Sequence, residues 1–182
     1  SCVRWTRKKD GSFAWDYSRL DKFLDLCGRH MGKVRCVTFV VMNGNPGNPA
    51  EVMVTDEAAG KAEVLPLQGE SISEADRRVI WGAFAVDLYN HMKARGQEKV
   101  MYWGYAWDSE GDPTLKNLLA EFTPGVYWAM GGHDIRVDPR FYKVTSWIYK
   151  VHGAMSLVNN RRGWANPALE FHGPKLPRRL PR

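Results

Sequence analysis

The sequence predicts an α/β fold, a partial (β/α) TIM-barrel-like parallel sheet with an inserted β-hairpin, on three observations. Helical periodicities alternate with short apolar runs, the order expected of βα units with right-handed crossovers. The run Cys36-Val37-Thr38-Phe39-Val40-Val41-Met42 is apolar on both faces, as a strand buried on both sides of a parallel sheet reads. Two shorter alternating runs interrupt the βα order and carry the pattern of a hairpin. A complete eight-fold barrel needs about 250 residues. A chain of 182 residues therefore fits a segment of one, or a smaller open α/β sheet.

In chain order, Trp15-Asp16-Tyr17 leads into a first helix, on which Tyr17, Leu20, Phe23, Leu24, Cys27 and Met31 recur at helical spacing. Asp16 or Ser18 can cap its start, and Gly32 stands where it ends. A strand follows over Arg35–Met42 and stops at the turn-rich Asn43-Gly44-Asn45-Pro46-Gly47-Asn48-Pro49. The runs Glu51–Thr55 and Lys61–Leu67 read as a hairpin decorating the main sheet. Ser71-Ile72-Ser73-Glu74 has capping-box spacing and opens a long helix, with Ile80, Phe84, Leu88 and Met92 four apart and Gly96 at its end. Lys99–Trp107 is a second strand. Asp112-Pro113 supplies an N-cap and an N1 proline for a helix carrying Leu115, Leu118, Leu119 and Phe122. A third strand covers Val126–Met130 and ends at Gly131-Gly132-His133-Asp134, and a fourth covers Val144–Val151. Residues 1–173 thus read as one incomplete barrel-like domain, and 174–182 as a Pro/Arg-rich tail.

The charge sits unevenly. Lys175, Arg178, Arg179 and Arg182 lie in the tail, and removing these four from the net +6 leaves about +2. Such a balance argues for a solvated terminus and against a nucleic-acid partner. No apolar run approaches the ~20 residues that cross a bilayer, so no membrane partner is expected. Cys2, Cys27 and Cys36 form no metal-ligand spacing, and the last two read as buried small hydrophobes. The chain opens on Ser1 with no charged-then-apolar leader, which suggests a processed chain or a fragment and leaves localisation unread. Oligomeric state is equally silent. Eight tryptophans serve either a large core or flat stacking platforms; Trp81 and Trp103, on a helix and in mid-strand, read as core.

In parallel α/β folds ligands gather at the carboxyl ends of strands. Asp108-Ser109-Glu110-Gly111-Asp112 is the richest such end. With extended backbone Asp108 and Glu110 point the same way, and two neighbouring carboxylates repel, so that one keeps its proton. A general acid then stands beside a base or charge stabiliser, the kit for cleaving a glycosidic bond. Tyr105 and Trp107 alternate in the same strand and offer stacking surfaces for a sugar ring. His133 and Asn43, at two further strand ends, are candidate substrate contacts. Asp112 is assigned to helix capping, and His30 and His91 to helix ends that favour positive charge. No metal, cofactor, phosphate-loop or Ser-His-Asp signature is present; Pro46 stands where a phosphate cradle needs free N–H groups.

Three stretches carry a family resemblance. They are Phe13–Cys27 with the strand after it, Tyr102-Trp103-Gly104-Tyr105-Ala106-Trp107-Asp108-Ser109-Glu110-Gly111-Asp112-Pro113, and Asn160-Arg161-Arg162-Gly163-Trp164-Ala165-Asn166-Pro167. Together they resemble the catalytic-barrel region of family 123 glycoside hydrolases and their DUF4091 relatives. The resemblance implies a carbohydrate substrate, secretion or a periplasmic location, and retaining β-N-acetylgalactosaminidase chemistry in which the substrate's own acetamido oxygen attacks the anomeric carbon. By position, Asp108 becomes the orienting carboxylate and Glu110 the acid/base. One departure stands out. Ser109 separates the two here, whereas the family pair is adjacent, so either the backbone bends or the chemistry differs. A non-catalytic carbohydrate-binding or structural relative is the alternative reading.

Overall fold

The strands divide between two sheets rather than joining one. The computed structural model describes residues 2–43, 51–67, 72–106, 112–132 and 142–147. The first sheet joins β1 (Arg4–Arg7), β2 (Phe13–Asp16), β4 (Glu51–Asp56) and β5 (Lys61–Pro66) in the order β2-β1-β4-β5. The second joins β3 (Val37–Asn43), β6 (Met101–Ala106), β7 (Trp128–Gly132) and β8 (Tyr142–Trp147) in the order β3-β6-β7-β8, every pair parallel. The predicted hairpin is present as the antiparallel pair β4–β5, but it does not decorate the parallel sheet. It pairs through β4 with β1, in parallel and with Trp5 opposite Val54. Four-residue strands hold too few positions for a period of two to stand out, which is why no strand is legible at β1 and β2.

The three helices are α1 (Ser18–Met31), α2 (Glu74–Ala94) and α3 (Pro113–Phe122). Asp16 serves α1, its Oδ1 accepting the Ser18 N–H at 2.8 Å. The cap that opens α2 lies two residues later than the sequence suggests. Ser73 Oγ accepts the Asp76 N–H at 3.0 Å and so caps the helix, while its hydroxyl donates to Asp76 Oδ2 at 2.6 Å. At the other end the Gly96 N–H bonds to Lys93 O and the Gln97 N–H to Met92 O, both at 2.9 Å, the paired closure of a Schellman motif. That closure needs the left-handed φ of 68° that Gly96 adopts. Among the described residues no helix is long and apolar enough to cross a membrane.

Helix α2 meets neighbours on several sides. Phe84 packs on Trp5 and Trp15 of the first sheet, with ring centroids 4.6 and 5.8 Å away. The Trp81 indole N–H donates to Leu67 O at 3.0 Å. Toward α1, His91 stacks on Tyr17 at 4.2 Å and lies 2.7 Å from Asp21 Oδ1, while Arg95 holds Asp21 and Asp25. The Tyr17 hydroxyl donates to Asp87 at 2.7 Å; burial, then that acceptor, pushes its pKa up and keeps it a donor. Toward α3, the backbone of Gly82 lies against the Phe122 ring, where an added Cβ meets ring carbons at 2.6 Å.

Ile80, Phe84, Leu88 and Met92 are all buried, as their spacing predicts. So are Trp5, Trp81, Trp103 and Trp128, which places these tryptophans in the core rather than on a platform. The expectation for β3 fails in part: Val41 is buried, but Val40 is 60% exposed. The strand stands at the end of its sheet, so its second face is covered less than a central strand's. Cys27 and Cys36 are half-buried rather than buried, and desolvation pushes the Cys36 thiol pKa up.

Two outcomes follow. Gly82→Val forces a branched side chain into the Phe122 ring and lowers stability by about 1–3 kcal/mol in urea unfolding. Combined with Phe122→Leu the loss is smaller than the sum of the single variants, since the two sites touch. The second concerns acid. N–H donors hold two carboxyls below the ordinary value: Ser18 for Asp16, and Ala59 with an Arg7 contribution for Asp56. A carboxyl lowered by folding contributes stability that is present above the unfolded value of ~3.9 and lost as pH falls through the folded value. Asp56→Asn therefore flattens the acid limb of a stability–pH curve below about pH 4; an unchanged slope there contradicts the assignment.

Candidate functional site

Because the second sheet is parallel throughout, the carboxyl ends of its strands share one edge. Asn43 closes β3 and pairs with Ala106, the last residue of β6. Ala106 pairs with Gly131, and Gly132, the last residue of β7, with Trp147, the last of β8. Two of the predicted positions, Asn43 and Tyr105, lie at or near this edge. Asn43 and Tyr105 are described by their backbone, one at the end of β3 and the other one residue short of the end of β6. Trp107, Asp108 and Glu110 follow β6 directly in sequence and His133 follows β7; all four lie outside the described residues.

Several features hold this edge in register. Phe39, Trp103 and Trp128 occupy adjacent register positions on β3, β6 and β7, and the first two rings meet edge to face at 6.4 Å. Trp103 and Trp128 are buried almost completely. The Trp103 indole N–H donates to Thr123 Oγ1 at 3.1 Å, and the Thr123 hydroxyl donates onward to Leu119 O at 2.7 Å. This buried chain ties mid-β6 to the end of α3. Near the edge, β3 carries a bulge: Val40 pairs with Gly104 and Met42 with Tyr105, leaving Val41 as the extra residue. Bulges gather beside functional sites because they re-register the residues that follow. Here the bulge sets Asn43 beside Ala106 instead of one position beyond it.

Asp112 stands six positions after Ala106, the last residue of β6. Its Oδ1 accepts the Thr114 N–H at 2.8 Å and so caps α3, as the Asp-Pro pair predicts. Its Oδ2 lies 3.0 Å from Nη1 of Arg77, in the first turns of α2. Sequence reading misses Arg77 because its partner is 35 residues away. One signal exists in principle: Arg77 and Arg78 stand near the positive end of a helix dipole, where a cation is disfavoured without a carboxylate partner. Among the described residues no group of three or more His, Cys, Asp or Glu side chains could hold a metal ion.

The family model described as the glycoside hydrolase 123 catalytic domain matches residues 1–147. A solved family 123 glycoside hydrolase from Clostridium perfringens, described for the details of glycolipid glycan hydrolysis, is similar with a TM-score of 0.60 at 19% identity. The match covers 72% of this chain and 23% of that one, so this chain spans under a quarter of its neighbour's length. At that identity the likeness is one of fold, mixed α/β with parallel strands. Comparison with the curated proteins finds no match.

Thr123→Val keeps the shape but removes the acceptor for the buried Trp103 N–H, and costs about 1–3 kcal/mol of stability in denaturant unfolding. A loss below ~0.5 kcal/mol, half of a typical net hydrogen bond, contradicts the role given to this tie.

Proposed function

The chain belongs to the family of the glycoside hydrolase 123 catalytic domain, and from that membership we propose that it acts on a glycoside by carboxylate acid/base chemistry. The observation that carries the proposal is the family match over residues 1–147. The shared carboxyl edge of β3, β6, β7 and β8 supports the location, since parallel sheets bind ligands there. The substrate is read as a β-N-acetylhexosaminide. The glycolipid glycan of the Clostridium neighbour is a natural substrate to try. Residues 1–173 are read as one barrel-like domain and 174–182 as its Pro/Arg tail. Strand order in the second sheet follows the chain without reversal, which supports a barrel over a doubly wound sheet with its switch point.

In this reading Glu110, protonated, donates its proton to the departing glycosidic oxygen as the bond to the anomeric carbon breaks. The substrate's acetamido oxygen attacks that carbon from the opposite face, and Asp108 stabilises the positive charge that develops on the acetamido group. Water then opens the cyclic intermediate, giving its proton back to Glu110, and the anomeric configuration is retained overall. Two carboxylates close together cannot both ionise freely, which leaves one protonated at neutral pH. Tyr105 and Trp107 stack on the sugar, with Asn43 and His133 as polar contacts from neighbouring strand ends.

The test is hydrolysis of aryl β-N-acetylgalactosaminides and β-N-acetylglucosaminides. Glu110→Gln lowers kcat by about 10²–10⁴-fold, least for the best leaving groups, which need no protonation. A wild-type rate in Glu110→Gln ends the assignment. Glycan binding without hydrolysis in the wild-type protein favours a non-catalytic relative instead, a reading to which Ser109 between the carboxylates points.

A further inference from the structure

We infer that the exposed face of α1 docks on the surface of an anionic bilayer, a contact that stands apart from the glycoside chemistry above. At about 100° per residue, Arg29, Lys22, Leu26, Arg19, His30 and Phe23 fall in that order on one arc of about 120°. All six are exposed, Phe23 by 56% and Leu26 by 41%. The other sides of the helix are occupied. Leu20 and Leu24 are buried, and the two carboxylates of the helix, Asp21 and Asp25, are held by Arg95 of α2. Beyond the arc, Met31 in the last turn is 81% exposed, and the basic run continues into exposed Lys33 and Arg35. Arg19, Lys22, Arg29, Lys33 and Arg35 enter none of the ion pairs among the described residues. The acids of α1 thus meet α2 and its cations meet solvent.

This combination selects the partner. The cations match an anionic surface by charge, and each Lys or Arg brought to an anionic leaflet strengthens binding about fivefold. Charge alone also suits a nucleic acid or an anionic glycan. Leu26 and Met31 decide against both: neither has a ring to stack on a base or a sugar, nor a donor for phosphate, and each gains only by leaving water. A bilayer holds acyl chains directly beneath its charged headgroups. A face that sets Phe23, Leu26 and Met31 among lysines and arginines finds both kinds of partner there, as a basic amphipathic helix does. The long stems of Lys22 and Arg29 let their charges stay at the headgroups while the apolar side chains reach deeper. Lying on a surface needs no spanning run, so this contact agrees with the lack of a long apolar helix among the described residues.

The experiment measures co-sedimentation of the whole chain with equimolar phosphatidylserine–phosphatidylcholine vesicles and with phosphatidylcholine vesicles alone. The expected result is binding to the first and little to the second, weakening as salt screens the charges. Lys22→Gln combined with Arg29→Gln weakens binding about 30-fold, two charges at about fivefold each. Phe23→Ser weakens it about tenfold, at low and high salt alike. Both effects persist when the basic residues 174–182 are deleted. Thermal unfolding midpoints near that of the wild-type protein show that the variants are folded; should Phe23→Ser not fold, Leu26→Ser carries the same comparison. No binding to the anionic vesicles overturns the inference, as does binding that depends on residues 174–182 and ignores the α1 substitutions. Wild-type binding in Phe23→Ser overturns it too, as the mark of a general polyanion surface. A concentration-dependent dimer that Phe23→Ser dissolves, without vesicle binding, gives the face to a second copy of the chain instead.

Discussion

Everything described in this chain depends on the burial of α2. A helix that packs on one neighbour shows a single apolar stripe, but α2 uses more of its circumference. Phe84 meets the tryptophans of the first sheet, Gly82 meets Phe122 of α3, and His91 and Arg95 meet the carboxylates of α1. One buried cluster therefore runs from Trp5 through Leu88 to Trp103 and Trp128, joining both sheets. The Ser73 cap and the Gly96 closure define where the helix begins and ends. Its first turns fall beside the N-terminus of α3, where Arg77 meets Asp112.

That placement links packing to chemistry. The parallel sheet lines up four carboxyl strand ends. Trp103 fixes β6 from beneath through Thr123, and Arg77 fixes the start of α3 through Asp112. The two ties differ in kind. The tryptophan's contribution is a buried hydrogen bond within a packed row of rings, which governs stability. The arginine's is a partly solvated ion pair, which contributes little to stability.

The sequence was most legible where a single period ran long enough to count. The i, i+4 ladder of α2, the Asp-Pro start of α3 and the β4–β5 hairpin all stand where their local chemistry puts them. Local chemistry could not say which sheet takes the hairpin, because its pairing with β1 joins residues some fifty positions apart. The same limit hid Arg77, whose meaning comes only from Asp112. The excess of tryptophan left core and platform open for Trp5 and Trp128 until burial assigned them to the core, where Trp81 and Trp103 also lie as their positions predict. At the candidate site, Asn43 and Tyr105 sit on strands whose ends converge, whereas Trp107, Asp108, Glu110 and His133 lie outside the described residues.

The central claim is that the carboxyl edge of the parallel sheet is where this chain meets carbohydrate. Titration of the isotope-labelled protein with an N-acetylated amino sugar, followed by backbone amide chemical shifts, tests it most directly. The account predicts shifts at Asn43, Ala106, Gly131 and Gly132, with Val37 and Met101 at the opposite end of the same strands unmoved. Shifts confined to that opposite end, or to β1 and β2 of the first sheet, contradict it.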